Sequence, residues 1–298
     1  MILFSFPNYD HLAGPLAALP RIRSGEFTLT RFANQELCAR VQTPVSGEAC
    51  CILGSVAPPD AQMLSLLLLA HTLKKDGARR VTGLLPYLAY SRQDKNKPGE
   101  SLATAWLGSL LKASGFDDVL TVDAHSERGQ ELFPIPLVSL STAELFAAAI
   151  REWRLTDATL VAPDNGAIPR CQAVKKAAAM PVAETPYFEK RRTPAGITHH
   201  GPLGKVGPRV VLLDDILDTG ETLLSACEKL LAARVEEIYI LVTHGLFTGT
   251  SWKRLWSLGV RRIFCTDTLP LPAGVDAAKT TILPVAPLLQ EGLASMTS

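Results

Sequence analysis

The sequence predicts an α/β protein of two halves, each built on a mostly parallel sheet flanked by helices. Two observations predict it. Short apolar runs alternate with helix-length periodic segments along the whole chain. The same rhythm then appears twice, on either side of a Pro-containing stretch from Phe133-Pro134-Ile135-Pro136 to Ser141.

In the first half, Cys51-Ile52-Leu53-Gly54 reads as a strand. A helix spans Asp60 to Lys75 and stops near Gly77. Arg80 to Leu85 is a strand, Ala103 to Ser114 a helix closed by Gly115, and Val119 to Val122 a strand. In the second half, Thr159 to Ala162 is a strand and Ile168 to Ala178 a helix. Arg209 to Leu213 is a strand, followed by a helix from Glu221 to Ala233. Ile238 to Val242 and Arg262 to Cys265 are further strands. One stretch breaks the rhythm. Tyr187 to Gly207 is long, polar and rich in Gly and Pro, and reads as a functional or disordered loop. Trp106, Trp153, Trp252 and Trp256 read as core or interface residues.

The chain has 298 residues, 47% of them hydrophobic, so it can bury a sizeable core. Thirty basic and twenty-nine acidic residues leave a net charge of +1. No overall field draws such a chain to nucleic acid or to an acidic membrane, so any bound anion must be held by a local constellation. The N-terminus lacks a basic region ahead of its apolar residues, which argues against a secretory signal. The longest apolar block, Met63 to Ala70, is far short of the roughly 20 residues that span a bilayer. The six cysteines include a vicinal pair, Cys50-Cys51, and show no C-x-x-C spacing. They read as reduced thiols of a cytoplasmic protein, with no zinc site.

The most informative segment is Val210 to Thr222. A buried strand delivers Asp214 and Asp215, and Asp218-Thr219-Gly220 leads into a helix that starts with Glu221 and Thr222. Open α/β sheets bind ligands beyond the carboxyl ends of their strands. Helix N-terminal N–H groups beside small residues make a phosphate cradle, to which Thr219 and Thr222 add hydroxyl donors. Paired carboxylates there suit sugar hydroxyls or a divalent cation. The plainer alternative is a solvated turn capping a helix. It fits a lone Asp better than two acids followed by Thr-Gly-x-Thr.

Tyr90-Ser91-Arg92-Gln93-Asp94-Lys95 follows a strand and offers two cations and an amide, which suits a polyphosphate. Its alternative is a solvated basic loop. Phe32 with Asn34 and Glu36 could stack on and hydrogen-bond a purine, or Phe32 could be a buried edge-strand residue. His125, two residues past Asp123, follows a strand. There is no G-x-x-x-x-G-K-[ST] or G-x-G-x-x-G segment and no protein-kinase signature, so neither a P-loop kinase nor a dinucleotide enzyme is indicated.

Asp214 to Thr222 resembles the phosphoribosyl-pyrophosphate loop of the type I phosphoribosyltransferase fold. Four further segments, in order, resemble ribose-phosphate pyrophosphokinase: Arg31 to Glu36, Pro86 to Lys95, Val122 to His125, and Ala162 to Ala167. Phe188-Glu189-Lys190-Arg191-Arg192 is similar to that family's catalytic loop, and Leu283 to Leu289 to its C-terminal segment. The resemblance implies two tandem type I phosphoribosyltransferase-like domains. Residues 1–140 would contact ATP, with the tail 286–298 packing on them, and residues 141–285 would bind ribose 5-phosphate.

The implied reaction transfers the β,γ-pyrophosphoryl group of ATP to the anomeric hydroxyl of ribose 5-phosphate and releases AMP, supplying nucleotide biosynthesis. Phe32, Asn34, Glu36, Arg92, Gln93 and Asp94 would bind ATP. Asp214, Asp215, Asp218, Thr219, Gly220, Glu221 and Thr222 would bind ribose 5-phosphate. Lys190, Arg192 and His125 would be catalytic, with Mg2+ near His125 and Asp164. The resemblance further implies a homo-oligomer, from dimer to hexamer, in the cytoplasm. No family role attaches to His199-His200, which read as a loop pair.

The chain departs from the family pattern in places. Asn34-Gln35-Glu36 stands where an Asp-Gly-Glu-like triplet is usual. Glu221 introduces a carboxylate among small residues; facing solvent at a helix N-terminus, it would suit the dipole. Gly54 to Pro59 differs from the phosphate-activated, ADP-inhibited bacterial class. Two other functions share part of the pattern: a phosphoribosyltransferase that consumes phosphoribosyl pyrophosphate, and a non-catalytic synthetase-associated subunit.

Overall fold

The computed structural model describes residues 1–181, 184–193 and 196–297, with the side chains of 190–199 and 297 outside the description. The chain forms two compact units. Met1–Leu140 with Val285–Ser298 make the first, and Ser141–Pro284 the second.

In the first unit the elements are β1 (Ile2–Ser5), α1 (Asp10–Ala17), β2 (Arg23–Ser24), β3 (Phe27–Arg31), β4 (Leu37–Val41) and β5 (Ala49–Leu53). Then come α2 (Asp60–Lys75), β6 (Arg80–Leu84), α3 (Ala103–Ala113), β7 (Asp118–Val122), α4 (Glu127–Glu131) and β8 (Leu137–Leu140). Six strands form one sheet in the order β2-β1-β5-β6-β7-β8. Every pair in it is parallel. Its central strands are near-continuous apolar runs because helices cover both faces of such a sheet. α2 turns Met63, Leu66, Leu69, Ala70 and Leu73 inward, one apolar stripe at helical spacing. Gly77, at φ +89°, donates its N–H to Lys74 and ends the helix in a conformation that favours glycine. β3 and β4 pair with each other only, as an antiparallel ribbon.

The second unit holds α5 (Ala143–Glu152), β9 (Thr159–Val161), α6 (Ile168–Ala177), β10 (Tyr187–Thr193), β11 (Gly196–Leu203) and β12 (Arg209–Leu217). It continues with α7 (Glu221–Ala232), β13 (Glu237–Gly245), α8 (Arg254–Ser257), β14 (Val260–Thr266) and β15 (Thr280–Leu283). Its five-stranded sheet runs β15-β14-β13-β12-β9, again parallel throughout. Two cores lie on the two faces of this sheet. One gathers Val210, Leu212, Leu223, Cys227, Leu230 and Ile240, the other Phe146, Ile150, Leu160, Val211, Leu213 and Phe264. The inward residues of β12 alternate between the two cores, as strand geometry requires.

The last helix, α9 (Ala286–Thr297), returns to the first unit. Its Gly292 lies so close to Leu120 and Leu140 that an added Cβ would meet their methyl groups at 2.8–3.0 Å.

Two sequence expectations are corrected. The stretch Tyr187 to Gly207 is not an irregular loop: its polar residues form the β10–β11 antiparallel hairpin. β12 does not stop at Leu213 but runs through both acids to Leu217, because β13 continues to pair with it. Of the four tryptophans, Trp252 is buried, whereas Trp106 is 47% exposed, edge-on to Tyr90. The six cysteines are all free thiols. No helix among the described residues is long and apolar enough to cross a membrane.

Candidate active site

The second unit carries the densest constellation. β12 ends in Leu217, and Asp218-Thr219-Gly220 turns the chain into α7. Gly220 is the N-cap, at φ +85°. Gly220 has no side chain with which to cap the helix, and N–H groups at a helix N-terminus suit an anion. A Cβ on residue 220 would lie 2.9 Å from both Cα and Cβ of Trp252, so close packing and positive φ together demand glycine. Thr219 and Glu221 are exposed beside this N-terminus, which places the Glu221 charge where the helix dipole favours it.

Just upstream, Asp215 is buried, and its backbone N–H donates to Asp214 Oδ1 at 2.9 Å. Asp214 sits in a recess walled by protein although part of its surface stays open. Its pKa is raised well above the usual carboxylate range, first by that burial, then by the charges of Asp215 and Asp164, while Arg170 opposes the shift. Asp164 reaches the same place from the carboxyl end of the neighbouring strand β9, where it accepts the Gly166 N–H at 2.9 Å. The structure therefore brings Asp164, Asp214 and Asp215 together with the cradle at 218–222. Such a crowd of carboxylates suits cations or sugar hydroxyls. Among the described residues no three His, Cys, Asp or Glu side chains form a ready metal site.

The hairpin that carries Lys190 and Arg192 is rooted here. Phe188 is fully buried in the same core as Leu217 and Leu223. β10 passes the turn Asn165–Ala167, and β11 runs alongside α7. Lys190 pairs with His199, Arg192 with Ile197 and Glu189 with His200 across the hairpin. The side chains of Lys190, Arg192 and His199 lie outside the described residues.

The remaining predicted residues belong to the first unit. The segment after β6 and the segment after β7 leave the carboxyl ends of adjacent parallel strands. Arg92, Gln93 and His125 are exposed there. Gln93 is held in place: Ser101 Oγ donates to its Oε1 at 2.7 Å, and its carbonyl accepts from the buried Thr104 hydroxyl at 3.1 Å. Asp94 points inward instead. Its carboxylate takes the Ser126 hydroxyl at 2.5 Å, and Ser126 in turn caps α4 by accepting from Gly129. Asp94 thus braces the loop that carries Arg92 and Gln93. Asp123, at φ +39°, sets up the turn before His125.

Phe32, Asn34 and Glu36 stand apart from that edge, on the turn of the β3–β4 ribbon. Phe32 is 58% exposed, which disposes of the buried edge-strand alternative. Asn34 Oδ1 accepts the Glu36 N–H at 3.2 Å, and the Phe32 N–H donates to the Glu36 carbonyl at 2.9 Å. The substituted triplet therefore forms a closed turn that presents an aromatic face.

Sequence reasoning missed two contributors. Arg170 opposes the acid cluster, but nothing in a helix sequence announces it. The turn after β13 grips the phosphate loop, and its only sequence signal is a Gly-aromatic pair, Gly245 and Phe247.

Fold and site define the class: two phosphoribosyltransferase-like α/β units in one chain, with an acid pair just before a glycine strand–helix turn in the second. Comparison with known proteins narrows this. Residues 1–115 match the N-terminal domain of ribose phosphate pyrophosphokinase, and residues 129–266 match a phosphoribosyl transferase domain. A ribose-phosphate pyrophosphokinase of Maricaulis maris is 34% identical, covering 95% of this chain and 90% of that protein. One of Agrobacterium fabrum is 30% identical over 98% and 96%. The crystal structure of phosphoribosylpyrophosphate synthetase from Mycobacterium smegmatis superposes with a TM-score of 0.87 at 27% identity, covering 99% of this chain and 98% of that one. The chain belongs to the ribose-phosphate pyrophosphokinase family.

Proposed function

We propose that the protein makes phosphoribosyl pyrophosphate and AMP from ATP and ribose 5-phosphate. The observation that carries this reading is the turn from β12 into α7 at Gly220, at φ +85°, just after the Asp214–Asp215 pair, in a chain of this family. The 5-phosphate sits on residues 218–222, where N–H groups and the Thr219 and Thr222 hydroxyls converge. Asp214 and Asp215 take the ribose hydroxyls. Phe32 stacks on the adenine, Asn34 and Glu36 read its edge, and Arg92 and Gln93 hold the phosphates.

The anomeric oxygen attacks the β-phosphorus. A bond forms between them, the bond from the β-phosphorus to the α,β-bridging oxygen breaks, and AMP leaves with that oxygen. The hydroxyl proton is lost to solvent or to a nearby base. Such a transfer needs alignment and neutralised charge more than covalent help. Lys190 and Arg192 supply positive charge to the transferred phosphates. His125 contacts the magnesium–ATP complex.

Asp164 would hold Mg2+ by an oxygen donor, a fit supported by its closeness to the Asp214 carboxyl. When bound, the ion spreads the phosphate charge. Nucleotide oxygens and water would complete its shell, as magnesium prefers. The protein acts in the cytoplasm as a homo-oligomer.

Phosphorus NMR of ATP, magnesium and ribose 5-phosphate tests the reading. Signals of phosphoribosyl pyrophosphate and AMP are expected. Release of orthophosphate and ADP instead, or no turnover, overturns it.

A further inference from the structure

The cradle at 218–222 does not hold itself. The turn following β13 grips its first residues. The N–H groups of Leu246 and Phe247 both donate to the Leu217 carbonyl, at 2.9 and 3.0 Å, and the Thr248 N–H donates to the Asp218 carbonyl at 3.1 Å. Behind the loop, the backbone of Trp252 closes on Gly220.

That turn is stiffened from within. Phe247 adopts φ +50°, a conformation non-glycine residues rarely take. Its ring meets the Trp252 ring at 4.9 Å between centroids, tilted by 66°. It also lies over Gly245, where an added Cβ would come within 2.5 Å of it. Trp252 Nε1 donates to the Gly249 carbonyl at 3.2 Å, closing the turn on itself. The root is anchored by a buried polar knot. His244 Nδ1 and Thr268 Oγ1 share a hydrogen bond of 2.9 Å, and the Thr266 hydroxyl donates to the Thr243 carbonyl at 2.6 Å. His244 is 3% exposed, so its ring serves the interior and not the solvent.

We propose that the turn between β13 and α8 is the positioning element of the sugar-phosphate site, with Trp252 and His244 its two determining side chains. They preshape the loop 218–222, so that its N–H groups need no ordering when the phosphate arrives. The inference rests on the assignment of ribose 5-phosphate to that loop. Neither side chain is catalytic; each acts through the backbone of residues 217–220. Their effect must therefore fall on one substrate only.

The experiment compares Trp252→Phe and His244→Gln with the unmodified protein. It measures KM for each substrate, kcat, melting temperature, and calorimetric Kd for ribose 5-phosphate alone. Both variants should raise KM and Kd for ribose 5-phosphate about tenfold while KM for ATP stays within about twofold. If both KM values and the Kd are unchanged while melting temperature falls, the two residues serve the core only and the inference is wrong. Equal rises in both KM values also overturn it. His244→Gln leaves the Phe247–Trp252 packing in place and carries the test alone should Trp252→Phe fail to fold. The parent reading fails separately, if the unmodified protein yields no phosphoribosyl pyrophosphate; the Kd comparison still decides the role of the turn. An unmodified protein that binds no ribose 5-phosphate overturns both.

Discussion

Asp214 accepts the backbone N–H of Asp215 at 2.9 Å, and the Asp215 carboxylate beside it pushes against the charge that this bond would favour. Burial comes first, Asp215 and Asp164 follow, and the sum raises the Asp214 pKa well above its ordinary value. The folded protein thus binds this proton more tightly than the unfolded chain. Stability is then greatest below the unfolded carboxylate pKa of about 4 and falls as pH rises toward the raised folded value. In ligand-free protein, Asp214→Asn should raise the melting temperature at neutral pH, with the gain disappearing near pH ~4. The same variant should lose most of its turnover of ribose 5-phosphate. A melting temperature lowered equally at every pH would show that the carboxylate is compensated, not strained.

Gly220 turns the chain from β12 into α7 at φ +85°, with Trp252 at its back. Gly220→Ala meets both obstacles at once. The left-handed conformation alone costs roughly 1–2 kcal/mol, and the contact with Trp252 forces the loop to shift. We expect KM for ribose 5-phosphate to rise more than tenfold, and urea denaturation to show a loss of about 2 kcal/mol. Unchanged KM would mean that residue 220 lies outside the phosphate contact.

In the first unit, Asp118 is 2% exposed, and Arg80 Nε and Nη2 both bond its Oδ2 at 2.7 Å. Its Oδ1 finds no partner among the described residues. Arg80→Met would strand a buried carboxylate, which costs about 3–5 kcal/mol. The double variant Arg80→Met with Asp118→Leu should recover most of that loss in a denaturation series. If the single variant is as stable as the parent, the pair contributes nothing.

Much of this was legible in the sequence because apolar periodicity survives burial. The helix over Asp60–Lys75 and the strand starting at Arg80 begin where their patterns do. The turn from β12 into a helix starting at Glu221 was legible because Thr-Gly-x-Thr after a buried strand leaves few conformations open. The β10–β11 hairpin was not, because its strands lack an alternating apolar face. The inward turn of Asp94 was equally hidden, since its partner Ser126 lies 32 residues away. Nor does any local pattern tell β12 to continue through Asp214 and Asp215. That follows from the length of β13, which stays in register to Gly245.

Phe32 exposes 58% of its surface at the tip of a closed turn, and on the proposed role its ring stacks on the adenine. Phe32→Ala should therefore leave the melting temperature unchanged and raise KM for ATP several-fold, with KM for ribose 5-phosphate unaffected. Base stacking on one aromatic ring contributes about 1–3 kcal/mol, which sets the scale of the change. A drop in melting temperature without a change in KM would assign Phe32 to packing.

Lys190 lies in the middle of β10, whose base is fastened by the buried Phe188 and whose partner β11 runs along α7. The buried anchor is the Phe188 ring, so the hairpin should persist without the ammonium group of residue 190. On the proposed role, Lys190→Ala removes charge that counts chiefly as the phosphates are transferred. kcat should then fall by about 10²–10³, with both KM values nearly constant. On that role the melting temperature should stay within ~2 °C, because the lost group acts on the phosphates and not on the fold. Lys190→Arg should restore part of the rate, since it keeps the charge but changes its reach and geometry. Steady-state assays and thermal denaturation of the two variants check this. Near-normal kcat in Lys190→Ala would remove Lys190 from the catalytic set and leave the transferred phosphates to other cations.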